Sequence, residues 1–275
     1  MQGMSRIKII SRDNPQLKEA RKVRDGKVRQ SIFIEGLRLA EEAVSSQISI
    51  DHAIVRDDFG SQKREADLLD ILSDRGVRIL ETDERSFASI ADTKTSQGIL
   101  IIADRPRTDE QTFENLIARD TSKLDLIVLL DQVNNPSNLG AVLRTAEAAG
   151  AKGVIVTTNS VDAFGAKAIR ASMGSAFRIP IWNDAASSGV KEFAARMGFA
   201  ITAISKDGSV DYLDVDWNAP MILAFGSETH GLSKEIETAA QVKISIPINA
   251  QVESLNLAVA AGIILFEARR QLAID

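Results

Sequence analysis

The stretch Gln241–Leu272, QVKISIPINAQVESLNLAVAAGIILFEARRQL, decides how the rest of the chain is read. Val242 to Ile246 reads as a short strand, Pro247 ends it, and a polar loop then closes on Ser254, Leu255 and Asn256. A long helix follows. Between Leu255 and Phe266 only Asn256 is strongly polar, so this helix has little solvent face and is expected to be buried in the domain, in a subunit interface, or in both. Ser254 is suited to cap it, because a serine hydroxyl accepts from an unpaired backbone N–H of the first helical turn. Asn256 is harder to absorb into a structural role. A side-chain amide inside an apolar run must find partners or carry a desolvation cost of roughly 1–3 kcal/mol.

Working back from this stretch, Leu124 to Asp131, LDLIVLLD, is a continuous apolar strand of the kind buried on both faces of a parallel sheet. After it, helices (Leu139 to Ala149, Ala166 to Met173, Gly189 to Met197) alternate with strands (Gly153 to Thr157, Ile179 to Ile181, Ala200 to Ile204), and a strand from Met221 to Phe225 precedes the final stretch. That order predicts an open, mainly parallel sheet with helices on both faces. The first hundred residues give a separate α/β unit. Asn14-Pro15 starts a helix, Ser31 to Glu35 alternates as a short strand, and Gly36 opens a helix through Ala43. A strand (Ile48 to Val55), a helix (Lys63 to Arg75) and strands Val77 to Leu80 and Gly98 to Ala103 complete it. Arg105-Pro106 breaks the pattern, and the polar residues up to Lys123, with one helix around Gln111 to Ala118, read as a linker. The expected division is therefore a domain over 1–105, a linker over 106–123 and a second domain over 124–275.

Composition bounds the chemistry. At 275 residues, 26% charged and 44% hydrophobic, the chain has the balance of an ordinary globular protein and room for two modest domains. It contains no cysteine, which removes disulfides, thiolate metal sites and thiol nucleophiles. A reducing, cytoplasmic compartment fits. The longest apolar run, Leu257 to Phe266, is too short to span a bilayer, so no membrane association is expected. The net charge of −5 is unevenly placed: residues 1–30 hold nine Lys/Arg against three acids, a local excess of +6. Such a basic arm, with Lys18, Arg21, Lys22, Arg24 and Arg29, is able to approach a phosphate backbone, although a solvated helix face accounts for the same charges.

In open parallel sheets ligands gather at the carboxyl ends of the strands. Three polar loops lie there: Gln132 to Gly140, Gly226 to Leu232, and Ile248 to Asn256. Dinucleotide, P-loop and zinc-protease motifs are missing, no metal site is expected, and with only His52 and His230 histidine acid/base chemistry is poorly supplied. In the first loop, Asn134-Asn135-Pro136-Ser137-Asn138 is dense turn chemistry leading into a helix that carries Arg144 away from its apolar side. A solvated arginine is the plainer reading. In the second loop, GSETHGL, the glycines let backbone approach a ligand closely and Glu228 is able to accept from a cation or hydroxyl; a capping turn before Leu232 is the alternative.

Three ordered segments carry a resemblance. They are Asp131-x-x-x-Asn135-Pro136-x-Asn138-Leu139-Gly140-x-x-x-Arg144-Thr145-Ala146, then Phe225-Gly226-Ser227-Glu228-x-x-Gly231-Leu232, then Ile246-Pro247 through Ser254-Leu255-Asn256. Together with IRASMGSAFRIP, Ile169 to Pro180, they resemble the motifs of the SpoU (TrmH-like) RNA ribose 2′-O-methyltransferases of the SPOUT superfamily. The first hundred residues are similar to that family's N-terminal substrate-binding domain, related to a ribosomal-protein fold, through Arg29, Phe33, Glu35-Gly36 and Ser96-Gln97-Gly98. Ile248, where Met is frequent, and Asn249-Ala250, in place of a small or glycine pair, are the departures.

The resemblance implies an α/β trefoil-knotted C-terminal domain, a homodimer built through it, and S-adenosylmethionine held in a bent conformation by backbone around Gly226, Ile246 and Leu255. It implies that Arg144 acts on the ribose 2′-hydroxyl, with Asn138 positioning it, Glu228 lining the active site, and Ser254 and Asn256 ordering it. The expected activity is methyl transfer to RNA, with ribosomal RNA favoured over tRNA because the tRNA-specific relatives usually lack the N-terminal domain. A tRNA 2′-O-methyltransferase, a base-methylating SPOUT enzyme and a non-catalytic RNA-binding or ribosome-assembly protein remain the alternatives.

Overall fold

The computed structural model describes residues 7–9, 11–119 and 124–272. They form two compact units, one of the described residues up to 106 together with 164–177, the other of the described residues in 107–163 and from 178 to 272.

The first unit is built on strands β1 (Ile7–Ile9), β2 (Ser31–Glu35), β3 (Ile50–Arg56), β4 (Arg78–Thr82) and β5 (Ile99–Asp104). They lie in the order β1-β4-β3-β5-β2, the first three parallel and β5 antiparallel to both neighbours. Helices α1 (Pro15–Arg24), α2 (Leu37–Ser45), α3 (Lys63–Asp74) and α4 (Glu84–Ala88) connect them. Helix α1 starts where the sequence places it, with Asn14 Oδ1 accepting from Gln16 N at 2.8 Å and Pro15 in the first turn. Its buried Leu17, Ala20 and Val23 join Phe33, Ile54, Leu80, Phe87, Leu100 and Ile102 in one core.

Strand β2 departs from the alternation read in its sequence: Ile32 through Glu35 are all buried, because α1, α2 and a third helix pack on it. That third helix, α7 (Ala166–Ser172), comes from the middle of the second half of the chain. Arg170 Nη1 donates to Asp92 Oδ2 at 2.9 Å, and the Arg105 guanidinium stands 5.1 Å from the Phe164 ring centroid. The carboxylate of Glu35, 7% exposed, accepts from Asp92 N (2.8 Å), Thr93 N (3.2 Å) and Thr93 Oγ1 (2.7 Å). A buried charge is tolerated there because it satisfies the backbone donors of the loop before β5.

In the second unit the residues read as a linker carry α5 (Glu110–Arg119), whose Phe113 and Ile117 are fully buried in that unit's core. Its sheet contains β6 (Leu124–Leu130), β7 (Ala151–Thr157), β8 (Ile181–Ala185), β9 (Ala200–Ile204), β10 (Val210–Asp211), β11 (Met221–Phe225) and β12 (Val242–Ser245). All are parallel, in the order β10-β12-β9-β11-β6-β7-β8. Strand β6 lies between β11 and β7 and is buried from Leu126 to Leu130, as its apolar run requires.

On one face α5, α8 (Ser187–Met197) and α9 (Lys234–Ala239) cover Ile127, Leu129, Ile155, Ile201, Ile222 and Ala224. Phe113, Trp182, Phe193 and Phe199 form an aromatic cluster in this layer, with Trp182 and Phe193 edge to face at 5.7 Å. Elsewhere in the unit α6 (Pro136–Ala149) packs on α10 (Leu257–Gln271), and Arg269 Nη1 reaches Ala148 O at 2.9 Å. The chain runs outward from β6 through β7 and β8, then crosses to β9, and only afterwards places β11 between β9 and β6. The carboxyl ends of β6, β11, β9 and β12 therefore stand side by side at the point where the direction of winding reverses, which is where such sheets bind ligands.

Candidate active site

Two helix caps set up the site. At the end of β6, Asn135 caps α6, its Oδ1 accepting from Ser137 N (2.9 Å) and Asn138 N (3.4 Å), with Pro136 in the first turn. This places Asn138 at the helix start, facing the other loops. The second cap corrects the sequence reading: α10 is capped by Asn256 and not by Ser254. Asn256 Oδ1 accepts from Ala258 N (3.0 Å) and Val259 N (3.4 Å). The amide thus meets the partners an apolar run seemed to deny it.

With its oxygen engaged in the cap, Asn256 turns its Nδ2 toward the first two loops, which fixes the orientation of the amide. Nδ2 donates to Asn138 Oδ1 and to Glu228 Oε1, each at 3.1 Å. Asn138 Nδ2 donates to the same Glu228 Oε1 at 2.8 Å, and Leu257 N does so at 3.3 Å. One carboxylate oxygen therefore gathers donors from α6, the third loop and α10, while Glu228 Oε2 has no hydrogen bond among the described residues. Asn256→Ala is expected to lower stability by about 1 kcal/mol through loss of the cap. Urea unfolding measures it; an unchanged midpoint contradicts the capping role.

Asp131 supports the arrangement from below. It is 1% exposed; Oδ1 accepts from Thr157 Oγ1 (2.9 Å), Oδ2 from Ser233 N (2.6 Å), and its own N–H donates to Phe225 O (2.9 Å). The ends of β6, β7 and β11 and the start of α9 are joined by this one residue, β11 through its main-chain N–H and the others through its carboxylate. In the sequence Asp131 showed only as the aspartate closing an apolar strand and opening the first resembling segment, with no role attached.

Beside the cluster a cavity of about 590 Å³ opens at the ends of β9, β11 and β12. That is within the roughly 300–1,000 Å³ usual for small-molecule sites. Gly226, Ile246 and Leu255 line it, as do Glu228 and Ser254. Gly226 is obligatory: an added Cβ would stand 2.2 Å from the Gly231 carbonyl carbon and 2.4 Å from Leu232 N. The turn folds back on itself through Ser227 N to Gly231 O and Gly231 N to Ser227 O, both 2.9 Å. Ser254 is exposed and lines the cavity without a hydrogen bond of its own among the described residues. Sequence reasoning passed over Lys206 and Asp207, which also line it, as does His230 of the second loop. The neighbour of β9 is settled only by the late insertion of β11, which no local pattern reveals.

Asn138, Asn256 and Arg144 lie outside the cavity wall; the first two are tied to it through Glu228. Arg144 is exposed on α6, about 9 Å along the helix axis from Asn138, with no hydrogen bond or ion pair among the described residues. Of the basic residues near the N-terminus, Arg21 and Arg24 have structural partners. Arg21 donates to Ser89 Oγ (3.0 Å) and Arg12 O (2.9 Å), and Arg24 to Asp25 (2.9 Å) and Ala91 O (3.2 Å). Lys18 pairs with Asp13 at 3.1 Å in solvent, and Lys22 and Arg29 are exposed.

Residues 125–266 match the SpoU rRNA Methylase family, and residues 14–101 match an MRM3-like substrate binding domain. The 23S rRNA (guanosine(2553)-2′-O)-methyltransferase RlmP of Bacillus subtilis is 28% identical over 95% of this chain and 98% of its own length. An AdoMet-bound rRNA methyltransferase from Sinorhizobium meliloti superimposes with a TM-score of 0.79 at 31% identity, covering 96% of this chain and 98% of that one. The SpoU methyltransferase AviRb from Streptomyces viridochromogenes, in complex with AdoMet, does so with a TM-score of 0.82 at 25% identity, over 94% of this chain and 98% of that one. The matched span holds all three loops that meet at Glu228, and the chain belongs to the SpoU rRNA methylase family.

Proposed function

We propose that this protein transfers the methyl group of S-adenosylmethionine to a ribose 2′-hydroxyl of ribosomal RNA. The observation that carries this reading is the convergence of Asn138, Glu228 and Asn256 on the lip of the cavity at the strand ends. The cavity suits the cofactor: its volume is adequate, and glycine at 226 lets main-chain edges form the wall. Apolar walls from Phe225, Ile246 and Leu255 fit an adenine ring. When bound, the cofactor supplies an electrophilic methyl group on a sulfonium.

The protein's part is orientation and charge. Glu228 Oε2 is left to accept a hydrogen bond from the ribose hydroxyl, and Asn138 and Asn256 hold Oε1 so that the carboxylate does not rotate away. Arg144 stabilises the oxygen as its proton passes to the Glu228 carboxylate and from there to solvent. A guanidinium is a poor base and a good hydrogen-bonding cation. Ser254, exposed on the cavity wall, is available to hydrogen-bond the bound ligand.

A homodimer completes the assembly in this reading. Val259 and Phe266, 51% and 48% exposed, form an apolar stripe on α10, beside the helix that carries Arg144. A second copy of that face covers both. A trefoil knot is the expected threading, and the insertion of β11 between β9 and β6 supports it. Among the described residues no helix is long and apolar enough to cross a membrane, which suits a cytoplasmic enzyme meeting RNA.

The N-terminal hundred residues select the RNA, through Lys18, Lys22 and Arg29, while Arg21 and Arg24 brace the turn at Ser89 to Ala91. Lys22→Ala and Arg29→Ala are each expected to reduce the slope of log affinity against log salt by about 0.7–0.9. Filter binding over a salt series measures it, and unchanged slopes remove these residues from the interface. The activity itself is tested by offering labelled S-adenosylmethionine with unmodified rRNA and, separately, tRNA. Transfer to rRNA is expected. Transfer to tRNA alone reassigns the substrate, and cofactor binding without transfer to either supports the non-catalytic alternative.

A further inference from the structure

The cavity wall has one turn that the methyl-transfer site leaves unused, Ser205 to Gly208 at the carboxyl end of β9. It is locked in place: Ser205 N donates to Ile244 O (3.0 Å), Gly208 N to Ser205 O (3.2 Å) and Asp207 N to Ser205 Oγ (3.3 Å). Gly208 packs against the β12 backbone so closely that a Cβ would stand 2.4 Å from the Ile244 carbonyl carbon and 2.6 Å from Ser245 N. From this fixed turn Lys206 and Asp207 both line the cavity, adjacent in sequence, exposed, and without a side-chain hydrogen bond or ion pair among the described residues.

The other charges on the wall are committed or negative. Lys243 is bound to Glu237 at 2.6 Å, and Glu228 and Glu253 are acids. A wall of this sign favours a sulfonium or ammonium and repels a carboxylate, so a ligand carrying a carboxylate needs a dedicated cation. Among the described residues Lys206 is the cavity lysine without an ion pair, and its neighbour Asp207 has none either. An adjacent cation and anion on a rigid turn match the zwitterion of an α-amino acid.

We propose that Lys206 and Asp207 clamp the amino-acid end of S-adenosylmethionine, Lys206 on its carboxylate and Asp207 on its ammonium. This rests on the methyltransferase reading, and calorimetric titration separates the two. The probes are S-adenosylmethionine, S-adenosylhomocysteine and 5′-methylthioadenosine; the last keeps the adenosine and sulfur but lacks the amino-acid end.

Lys206→Ala is expected to weaken the first two roughly tenfold and to leave methylthioadenosine unchanged, with Lys206→Arg restoring most of the loss. Asp207→Asn is expected to follow the same pattern. An equal loss for all three ligands, no loss for any, or a loss confined to RNA affinity overturns the clamp while the methyltransferase reading stands. A wild-type protein that binds none of the three overturns both.

Discussion

Replacing Arg144 with alanine is expected to lower kcat for methyl transfer by about 10²–10³, the range seen when a donor to a developing oxyanion is removed. Stability should change by less than about 0.5 kcal/mol, because the side chain is exposed and has no partner among the described residues. Affinity for S-adenosylmethionine should also be kept, since Arg144 does not line the cavity. That triple outcome separates a residue acting on the RNA hydroxyl from one that holds the fold or the cofactor. Single-turnover transfer, thermal unfolding and calorimetry on the same preparation measure it. Arg144→Lys keeps the charge but loses the planar fork of donors, so an intermediate rate is expected. Full turnover by Arg144→Lys removes the proposed role.

The second large effect is expected at Gly226. The atoms an alanine methyl would meet are the Gly231 carbonyl carbon at 2.2 Å, Leu232 N at 2.4 Å and Gly231 O at 2.5 Å, all main chain, so no rotamer change relieves the clash. The turn from 226 to 232 has to open. Opening breaks both hydrogen bonds between Ser227 and Gly231 and draws Glu228 away from Asn138 and Asn256. Two lost bonds at about 1 kcal/mol each and an overpacking strain of about 1–3 kcal/mol give a loss of about 3–5 kcal/mol. Gly226→Ala is therefore expected to lower the unfolding midpoint markedly and to bind S-adenosylmethionine at least about a hundredfold more weakly. A variant of near wild-type stability and affinity shows that the turn is more pliable than its contacts imply.

Much of the second unit was legible because its strands are apolar runs: β6 is buried from Leu126 to Leu130 and MILAF end to end as β11. The meeting of three loops was legible from the rule that parallel sheets bind at their carboxyl ends. The elements that escaped, β1, α4, β10 and α9, span few residues and carry too little periodicity to stand out. Strand β2 was found but read as alternating, because the arrival of α7 from more than a hundred residues away cannot be seen locally.

At the site, the residue types of Asn138, Glu228 and Asn256 were legible, yet the division of labour was not. Ser254 and Asn256 are both good caps by type, and only the geometry shows that Asn256 caps with its oxygen while its nitrogen serves Glu228. Basic charge near the N-terminus was equally legible, but charge does not say that Arg21 and Arg24 bind main-chain and hydroxyl oxygens of their own unit.

The most direct test of the account is the chemical position of the transferred methyl group. Unmodified ribosomal RNA is incubated with the protein and labelled S-adenosylmethionine, then cleaved with alkali, which cuts every linkage that retains a free 2′-hydroxyl. The account predicts that the label sits in a single alkali-resistant dinucleotide, and that the Arg144→Ala protein leaves that linkage cleavable. Label recovered on a base, in mononucleotides released by alkali, contradicts it.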